Sequence, residues 1–195
     1  MNKYLSVVGI FLCLLFVLPS CKGDKDNTEE IEQEAYKQKN DAAFEAKASD
    51  PSYVKWMSQA NDGYVFAKLI TKGTGKKIYY NSRISVYYKG WMINGTVFDS
   101  RLFDDGTPLK CAVSSYYANY NSSYNPGGYM SVIEGWGVAL QNMVEGDKYE
   151  IWIPQQLGYG SAKKSGTTDA KTIPAYSTLI FELEVVSVDE QAAHS

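Results

Sequence analysis

Residues 132–160 have the sequence VIEGWGVALQNMVEGDKYEIWIPQQLGYG, and this stretch decides the fold of the chain. Apolar side chains recur at helical spacing in its first part, which predicts a short helix. They are Trp136, Ala139, Leu140 and Met143. A Glu-Gly-Asp turn follows at residues 145–147. Apolar and polar residues then alternate over residues 148–153, which predicts a strand with two different faces.

The predicted strand ends in a glycine-rich corner. Pro154 ends it because proline cannot donate a hydrogen bond to a neighbouring strand. Tyr159 then stands between Gly158 and Gly160, and glycine accepts a sharply turned backbone. The corner is therefore suited to present the side chain of Tyr159.

Earlier segments predict further strands. Residues 64–70 are rich in apolar residues, and alternate side chains of residues 83–92 share one face. Asn94-Gly95 is a strong hairpin signal, and a strand begins again at residue 97. Several strands, one short helix and regular turns predict an α+β fold, a curved antiparallel β-sheet wrapped around one short α-helix.

Four short motifs follow one another along residues 62–189. They are VYYKGW at residues 86–91 with NGTVFDS at 94–100, VIEGW at 132–136, IPQQLGYG at 153–160 and IPAYSTLIFE at 173–182. In this order they resemble the FKBP family of peptidyl-prolyl cis/trans isomerases. Such a series is very hard to obtain by chance. The resemblance implies the fold predicted above and catalysis of rotation about X–Pro bonds.

The implied activity needs no reactive side chain. Rotation about an X–Pro bond disrupts amide resonance, with a barrier of about 18–20 kcal/mol, but no covalent bond breaks. A site that binds the twisted amide more tightly than either planar isomer is sufficient. We therefore expect an apolar pocket with a hydrogen-bond donor for the carbonyl oxygen, and neither a cofactor nor a metal.

The resemblance also implies which residues form this site. Trp136 is expected beneath the proline ring, and the Tyr159 hydroxyl is expected to reach the substrate carbonyl. Asp99 is expected to be a buried or half-buried carboxylate near the bond. The remaining substrate-binding residues are expected to be Tyr88, Phe98, Leu109, Val132, Ile133, Ile173 and Phe181. Proline-containing polypeptides are the implied substrates, and a macrolide is an implied ligand.

Several of these residues also have a simpler interpretation. Phe98 and Phe181, at strand spacing, would be core residues in any fold. Asp99 could be a plain turn residue. Tyr159 between two glycines and Trp136 after Val-Ile-Glu-Gly are the hardest to explain by packing alone.

Two segments depart from the family pattern. The family usually has a P-F-x-F run along one wall, whereas Pro108 is followed by Leu109 and Cys111, so the wall is smaller and less rigid. Residues 112–131 are a tyrosine-rich insertion, either a tolerated loop or a surface that extends the binding site. A smaller polar enlargement at residues 161–172 falls in the loop that overhangs the family's site.

The N-terminus predicts export. Lys3 precedes an apolar run over residues 5–18, too short for a spanning helix, which indicates a signal peptide at residues 1–20. The run ends in a Leu-Pro-Ser-Cys sequence similar to a bacterial lipobox, so Cys21 is predicted to carry lipid and to anchor the chain in a membrane. The alternative is an ordinary signal peptide with a coincidental cysteine. The expected location is the cell envelope, as an outer-membrane lipoprotein resembling those of Bacteroidetes. The domain would be either periplasmic or exposed at the cell surface.

The segment between the signal and the motifs predicts a tether and a helical preface. Residues 21–34 combine the lipidated cysteine with an acidic tether, either a solvated linker or an export signal. Asn27, with Glu30 three residues on, is suited to cap a helix that runs to about Ala48, and its thin apolar face predicts a frayed or partner-dependent helix. Residues 35–61 form the helical preface. Asp50-Pro51 predicts a second short helix. Residues 190–195 are a C-terminal tail.

Composition excludes other classes of protein. The net charge of −3 gives no basic excess for binding nucleic acid. The one histidine, His194, lies at the extreme C-terminus, so a Ser-His-Asp or Cys-His centre is not expected. If Cys21 is acylated, Cys111 has no cysteine to pair with in the mature chain and no neighbouring histidines for a zinc site.

Three functions remain. The leading hypothesis is a prolyl isomerase that assists the folding of exported proteins, since uncatalysed isomerisation takes tens of seconds. A non-catalytic module could instead hold a peptide or a glycan in the same groove, since the 16 tyrosines are typical of binding surfaces. A purely structural envelope protein would leave the pocket motifs unexplained.

Overall fold

The computed structural model describes residues 24–114 and 128–191, with side chains over residues 27–114 and 128–189. Within these residues one sheet contains eight strands. They are β1 (Val54–Met57), β2 (Tyr64–Thr71), β3 (Ser82–Met92), β4 (Val97–Arg101), β5 (Leu109–Ala112), β6 (Met130–Ser131), β7 (Lys148–Ile153) and β8 (Leu179–Gln191). The α-helices are α1 (Asp24–Glu45) and α2 (Glu134–Leu140).

The centre of the sheet is the long pair β3–β8. The pairing runs from Ser82 opposite Gln191 to Met92 opposite Leu179, with irregular register that bends the strands. The strands follow the order β1-β2-β7-β8-β3-β5-β6, and β4 also pairs with β3. All described pairs are antiparallel except β5 with β6. The predicted α+β class with an antiparallel sheet is confirmed.

The core lies between helix α2 and the sheet. Every residue of α2 after Glu134 is buried, and β7 alternates buried and half-buried residues as its sequence predicts. A side chain on Gly135 would place its Cβ 2.3 Å from Cγ2 of Ile153. Glycine therefore allows α2 to approach β7 closely enough to bury the next residue, Trp136.

Helix α1 begins three residues before the predicted cap at Asn27. It spans Asp24–Glu45 and continues as a 3-10 turn over Ala46–Ser49. Residues 24–34, within the segment predicted as an acidic tether, are therefore helical.

The second half of α1 is fixed to the domain. Phe44 is buried, and its ring centroid lies 4.9 Å from that of Phe66 and 5.5 Å from that of Tyr64. Asn40 is fully buried. The second half of this predicted frayed or partner-dependent helix packs on the domain itself, through two buried side chains one turn apart.

The short helix predicted at Asp50-Pro51 is also wrong, because strand β1 follows there instead. The Asp50 carboxylate accepts hydrogen bonds from the backbone N–H and the hydroxyl of Ser52, which makes a local turn. β1 then pairs with β2, and Trp56 packs against Tyr149 with ring centroids 4.9 Å apart. Trp56 is therefore half-buried on a strand at the sheet edge.

Several predictions fall on residues outside the described ranges. These residues are the signal peptide, Cys21, most of the insertion over residues 112–131 and the end of the tail. Strand β8 extends to Gln191, so the predicted tail over residues 190–195 begins inside that strand. None of the helices in the described part of the chain is long and apolar enough to cross a membrane.

Candidate active site

Four aromatic side chains meet on the α2 side of the sheet. The Phe181 ring lies at their centre, edge-on to Trp136 with centroids 5.2 Å apart and to Phe98 with centroids 5.5 Å apart. Tyr88 is edge-on to Trp136 at 5.2 Å. We call Tyr88, Phe98, Trp136 and Phe181 the aromatic cup. Three strands and the helix each contribute one ring, so residues distant in sequence form one apolar surface.

Gly90 makes room for these rings. It lies opposite Phe181 across the β3–β8 pair. A Cβ at this position would lie 2.6 Å from Cε1 of Phe181 and 2.7 Å from Cζ of Phe98, closer than carbon atoms approach. Gly90 belongs to the VYYKGW motif, but the sequence does not reveal its role. The steric overlap that a side chain would cause arises only when β3, β4 and β8 pack side by side.

Trp136 is, with Phe181, one of the two most buried rings of the cup. Only 4% of its surface is exposed, and its indole Nε1–H makes no hydrogen bond within the described residues. A buried donor without an acceptor costs about 1–3 kcal/mol. An apolar floor with one unused donor can bind a ring that carries a nearby carbonyl, which is the chemistry of a prolyl peptide.

Asp99 is exposed, so the expectation of a buried or half-buried carboxylate is wrong. It sits on β4, the outer strand beside β3, where solvent reaches it. Its Oδ2 accepts a 2.7 Å hydrogen bond from the Tyr88 hydroxyl, and its Oδ1 accepts one from the Ser100 backbone N–H at 2.9 Å. Burial and this bond hold the pKa of Tyr88 well above its ordinary value. Asp99 thus fixes one wall of the cup from outside.

Tyr159 keeps an unused hydroxyl. It is half-buried against the core, and its O–H makes no hydrogen bond to the described residues. Burial, and secondarily the negative charge of Asp99, raise the pKa of Tyr159 above its ordinary value. The hydroxyl therefore stays protonated at neutral pH and can donate a hydrogen bond.

The other predicted site residues occupy three settings. Ile173 is buried within the main core cluster. Leu109 is half-buried beside Cys111, and burial raises the pKa of that thiol to about 12. Val132 and Ile133 are half-buried against the same core and also line a cleft of about 220 Å³ beside α2. These four predicted residues therefore belong to, or pack against, the same core cluster that contains Trp136 and Phe181.

The fold and the cup together define a class of protein. The sequence profile of the FKBP-type peptidyl-prolyl cis-trans isomerase matches residues 75–186. An FK506-binding protein of Neisseria meningitidis serogroup A is 34% identical over 128 residues, which are 66% of this chain and 99% of that relative.

A second relative and a solved structure agree. The outer membrane protein MIP of Legionella longbeachae is 34% identical over 159 residues, which are 82% of this chain and 57% of that protein. The crystal structure of a peptidyl-prolyl cis-trans isomerase from Pseudomonas syringae pv. tomato superposes with a TM-score of 0.60 at 27% identity, over 81% of this chain and 96% of the other. The chain belongs to the family of FKBP-type peptidyl-prolyl cis-trans isomerases.

Proposed function

We propose that the chain catalyses cis/trans isomerisation of X–Pro bonds in the aromatic cup. The observation that carries this proposal is the mutual edge-on contact of Trp136 and Phe98 with Phe181. These apolar rings pack against one another. A twisted amide is less polar than a planar one, so such a surface favours the transition state over both ground states.

The proposed mechanism uses hydrogen-bond donors and no nucleophile. The substrate proline ring lies over Trp136, and the preceding carbonyl accepts a hydrogen bond from the Tyr159 hydroxyl. Tyr88 is unsuited to this task because its proton is committed to Asp99. Asp99 acts by orienting Tyr88 and by placing a negative charge near the rim. The remaining substrate-binding residues, Leu109, Val132, Ile133 and Ile173, bound the pocket.

The test is turnover of a proline tetrapeptide. We expect the Tyr159→Phe variant to lose about tenfold in kcat/KM, because one hydrogen bond in the transition state disappears. Asp99→Asn retains an acceptor for Tyr88 and should lose less than Asp99→Leu. Gln156→Ala, on the exposed side of the same corner, is the control and should match the wild type. A wild-type rate equal to that of the uncatalysed reaction would contradict the proposal.

The proposed substrates are proline-containing segments of exported proteins, handled at the cell envelope. Two observations support this location. The sequence predicts a signal peptide at residues 1–20 followed by a lipobox-like sequence, and one relative is named an outer membrane protein. Lipid on Cys21 would hold the domain at the membrane. Metabolic labelling with palmitate should label the wild type and not Cys21→Ser. Equal labelling of both proteins would contradict lipid attachment at Cys21.

A macrolide is the proposed inhibitor class. The Neisseria relative is named an FK506-binding protein, and the aromatic cup offers the same apolar floor to any cyclic amide. Leu109 gives a smaller wall than the aromatic residue usual in the family. We therefore expect weak inhibition by FK506, strengthened by Leu109→Phe. A titration in which both forms are inhibited equally would show that Leu109 does not limit binding.

A second candidate function is a non-catalytic module that binds unfolded chains. It is favoured by exposed apolar side chains beside the cup. Phe103 is 75% exposed and Leu102 is 43% exposed, and both line a cleft of about 190 Å³ that includes Tyr88. Phe103→Ser should weaken binding of an unfolded polypeptide without changing tetrapeptide turnover. A wild-type protein that does not bind unfolded polypeptide would reject this function. Binding that persists in Phe103→Ser and in a deletion of residues 114–129 would show that neither surface carries it.

A further inference from the structure

Helix α1 touches the substrate-binding half of the domain through Asn40. This side chain is fully buried, and its Oδ1 accepts a 2.9 Å hydrogen bond from the backbone N–H of Thr178. The Thr178 hydroxyl in turn donates to the Asn40 backbone carbonyl at 3.1 Å, and the Asn40 amide donates to the Tyr36 carbonyl at 2.9 Å. Asparagine is a poor residue for a helix interior, so this tertiary contact is what the position serves.

Tyr36 makes a second tie one helical turn earlier. Its hydroxyl and that of Ser177 are 2.8 Å apart, and the Ser177 hydroxyl donates its single proton to the Pro174 carbonyl. Tyr36 must therefore be the donor to Ser177. Tyr36 and Asn40 thus hold residues 174–178 from one side of α1.

The held segment is connected directly to predicted site residues. Tyr176 donates its backbone N–H to the carbonyl of Gly160, the residue after Tyr159, at 2.7 Å. Tyr176 has a positive φ of 62°, a conformation that a non-glycine residue keeps only where its surroundings enforce it. Helix α1 supplies part of that enforcement, since Lys37 Nζ lies 5.9 Å from the centroid of the Tyr176 ring and the hydrogen bonds from α1 reach the next two residues.

The same segment also fixes the overhanging loop. Ile173 and Lys164 exchange two backbone hydrogen bonds of 2.9 Å, which close the loop over residues 164–173 at its base. Ile173 immediately precedes Pro174, whose carbonyl is bonded to Ser177. A shift of residues 174–178 would therefore move both Ile173 and the corner that carries Tyr159.

We propose that Asn40 and Tyr36 are positioning residues for isomerisation: helix α1 holds residues 173–178, and through them Ile173 and Tyr159, in the geometry that binds substrate. This rests on the isomerase function proposed above. Neither residue touches the substrate. The helix that precedes the catalytic domain is therefore a part of its active-site scaffold.

The experiment compares full-length variants on tetrapeptides that differ in the residue before proline. Asn40→Ala removes the acceptor for Thr178 and should lower kcat/KM about tenfold, by unequal factors across the substrates. Tyr36→Phe removes one hydroxyl and keeps the ring, so it should fold and lose about threefold. Gln38→Ala is the matched control, because Gln38 is exposed on the same helix and, within the described part of the chain, its side chain bonds only to Glu34.

Substrate dependence separates positioning from mere destabilisation. A smaller folded fraction lowers the rate for every substrate by the same factor, whereas a displaced Ile173 changes the ratios. Hydrogen exchange of the Tyr176 amide should also accelerate in Asn40→Ala and in Tyr36→Phe, and not in Gln38→Ala. If Asn40→Ala does not fold, Tyr36→Phe alone decides.

Two results would overturn different claims. An inactive wild type rejects the isomerase function. An active wild type, with Tyr36→Phe and any folded Asn40→Ala showing wild-type substrate ratios and wild-type exchange at Tyr176, rejects the positioning role and leaves the isomerase function intact.

Discussion

Two hydrogen-bond donors in the cup region are uncommitted, and they suit its chemistry. The Tyr88 proton is bound to Asp99, so its ring serves as a wall only. The Tyr159 hydroxyl and the Trp136 indole N–H have no acceptor within the described residues. An unpaired donor in an apolar site interacts more strongly with a carbonyl than a donor in water does.

Gly90→Ala tests the tight packing of the cup. The new Cβ would overlap both Phe181 and Phe98, so at least one ring must move. We expect a loss of about 1–3 kcal/mol in the free energy of unfolding, with a larger relative loss of kcat/KM. Chemical denaturation and the tetrapeptide assay measure the two effects.

Lys89→Ala is the control for this change, since Lys89 is exposed at the neighbouring position of β3. It should leave both quantities near their wild-type values. A Gly90→Ala protein of normal stability and activity would mean that the rings adjust freely and that the cup is not rigid.

At the scale of elements, α1 shows how few contacts anchor a weakly apolar helix. The sequence pattern of α1 contains no continuous apolar stripe, and Ile31 is 62% exposed. Buried contacts occur instead at Tyr36, Asn40 and Phe44, spaced four residues apart along one face. Two of these contacts are polar, which hydrophobic periodicity cannot detect.

Phe44→Ala should therefore detach the end of α1. Removing a buried phenylalanine costs about 3–5 kcal/mol in the free energy of unfolding. Ile31→Ala on the same helix is the matched control and should change it by less than about 0.5 kcal/mol. Equal effects of the two substitutions, measured by urea denaturation, would contradict the docking of α1.

At the scale of the whole molecule, several tyrosines link stability to high pH. A hydrogen bond to Glu45, with burial second, raises the pKa of Tyr64 to about 12, and burial raises those of Tyr88 and Tyr159. Unfolded tyrosines ionise near pH 10, below the pKa of the folded ones. Their contribution is therefore complete below about pH 10 and is lost as the pH rises towards the folded pKa.

The free energy of unfolding should accordingly be level between about pH 8 and 9.5 and fall above about pH 10. Tyr64→Phe should reduce the steepness of that fall, because one linked proton is removed. Urea denaturation at a series of pH values measures it. An unchanged slope in Tyr64→Phe would show that the Glu45 contact does not form in solution.

The sequence was sufficient for the centre of the molecule and insufficient for its margins. Residues 132–160 predicted α2, the turn and β7, because periodicity and glycine act locally. The Glu-Gly-Asp turn hid a further contact: buried Asp147 accepts hydrogen bonds from Gly73 and Lys72, far away in sequence. Three other features likewise depend on contacts with residues distant in sequence, which no local pattern predicts. They are the exposure of Asp99, the strand β1 and the docking of α1.

The first half of α1 has a mechanical consequence. The helix contains 22 residues and is therefore about 33 Å long. Its described residues before Tyr36 are all exposed, whereas its far end is fastened to the domain. A helix fixed to the domain at one end sets the orientation of that domain as well as its distance from the other end. Any anchor attached near residue 24 would therefore also influence the direction in which the aromatic cup faces.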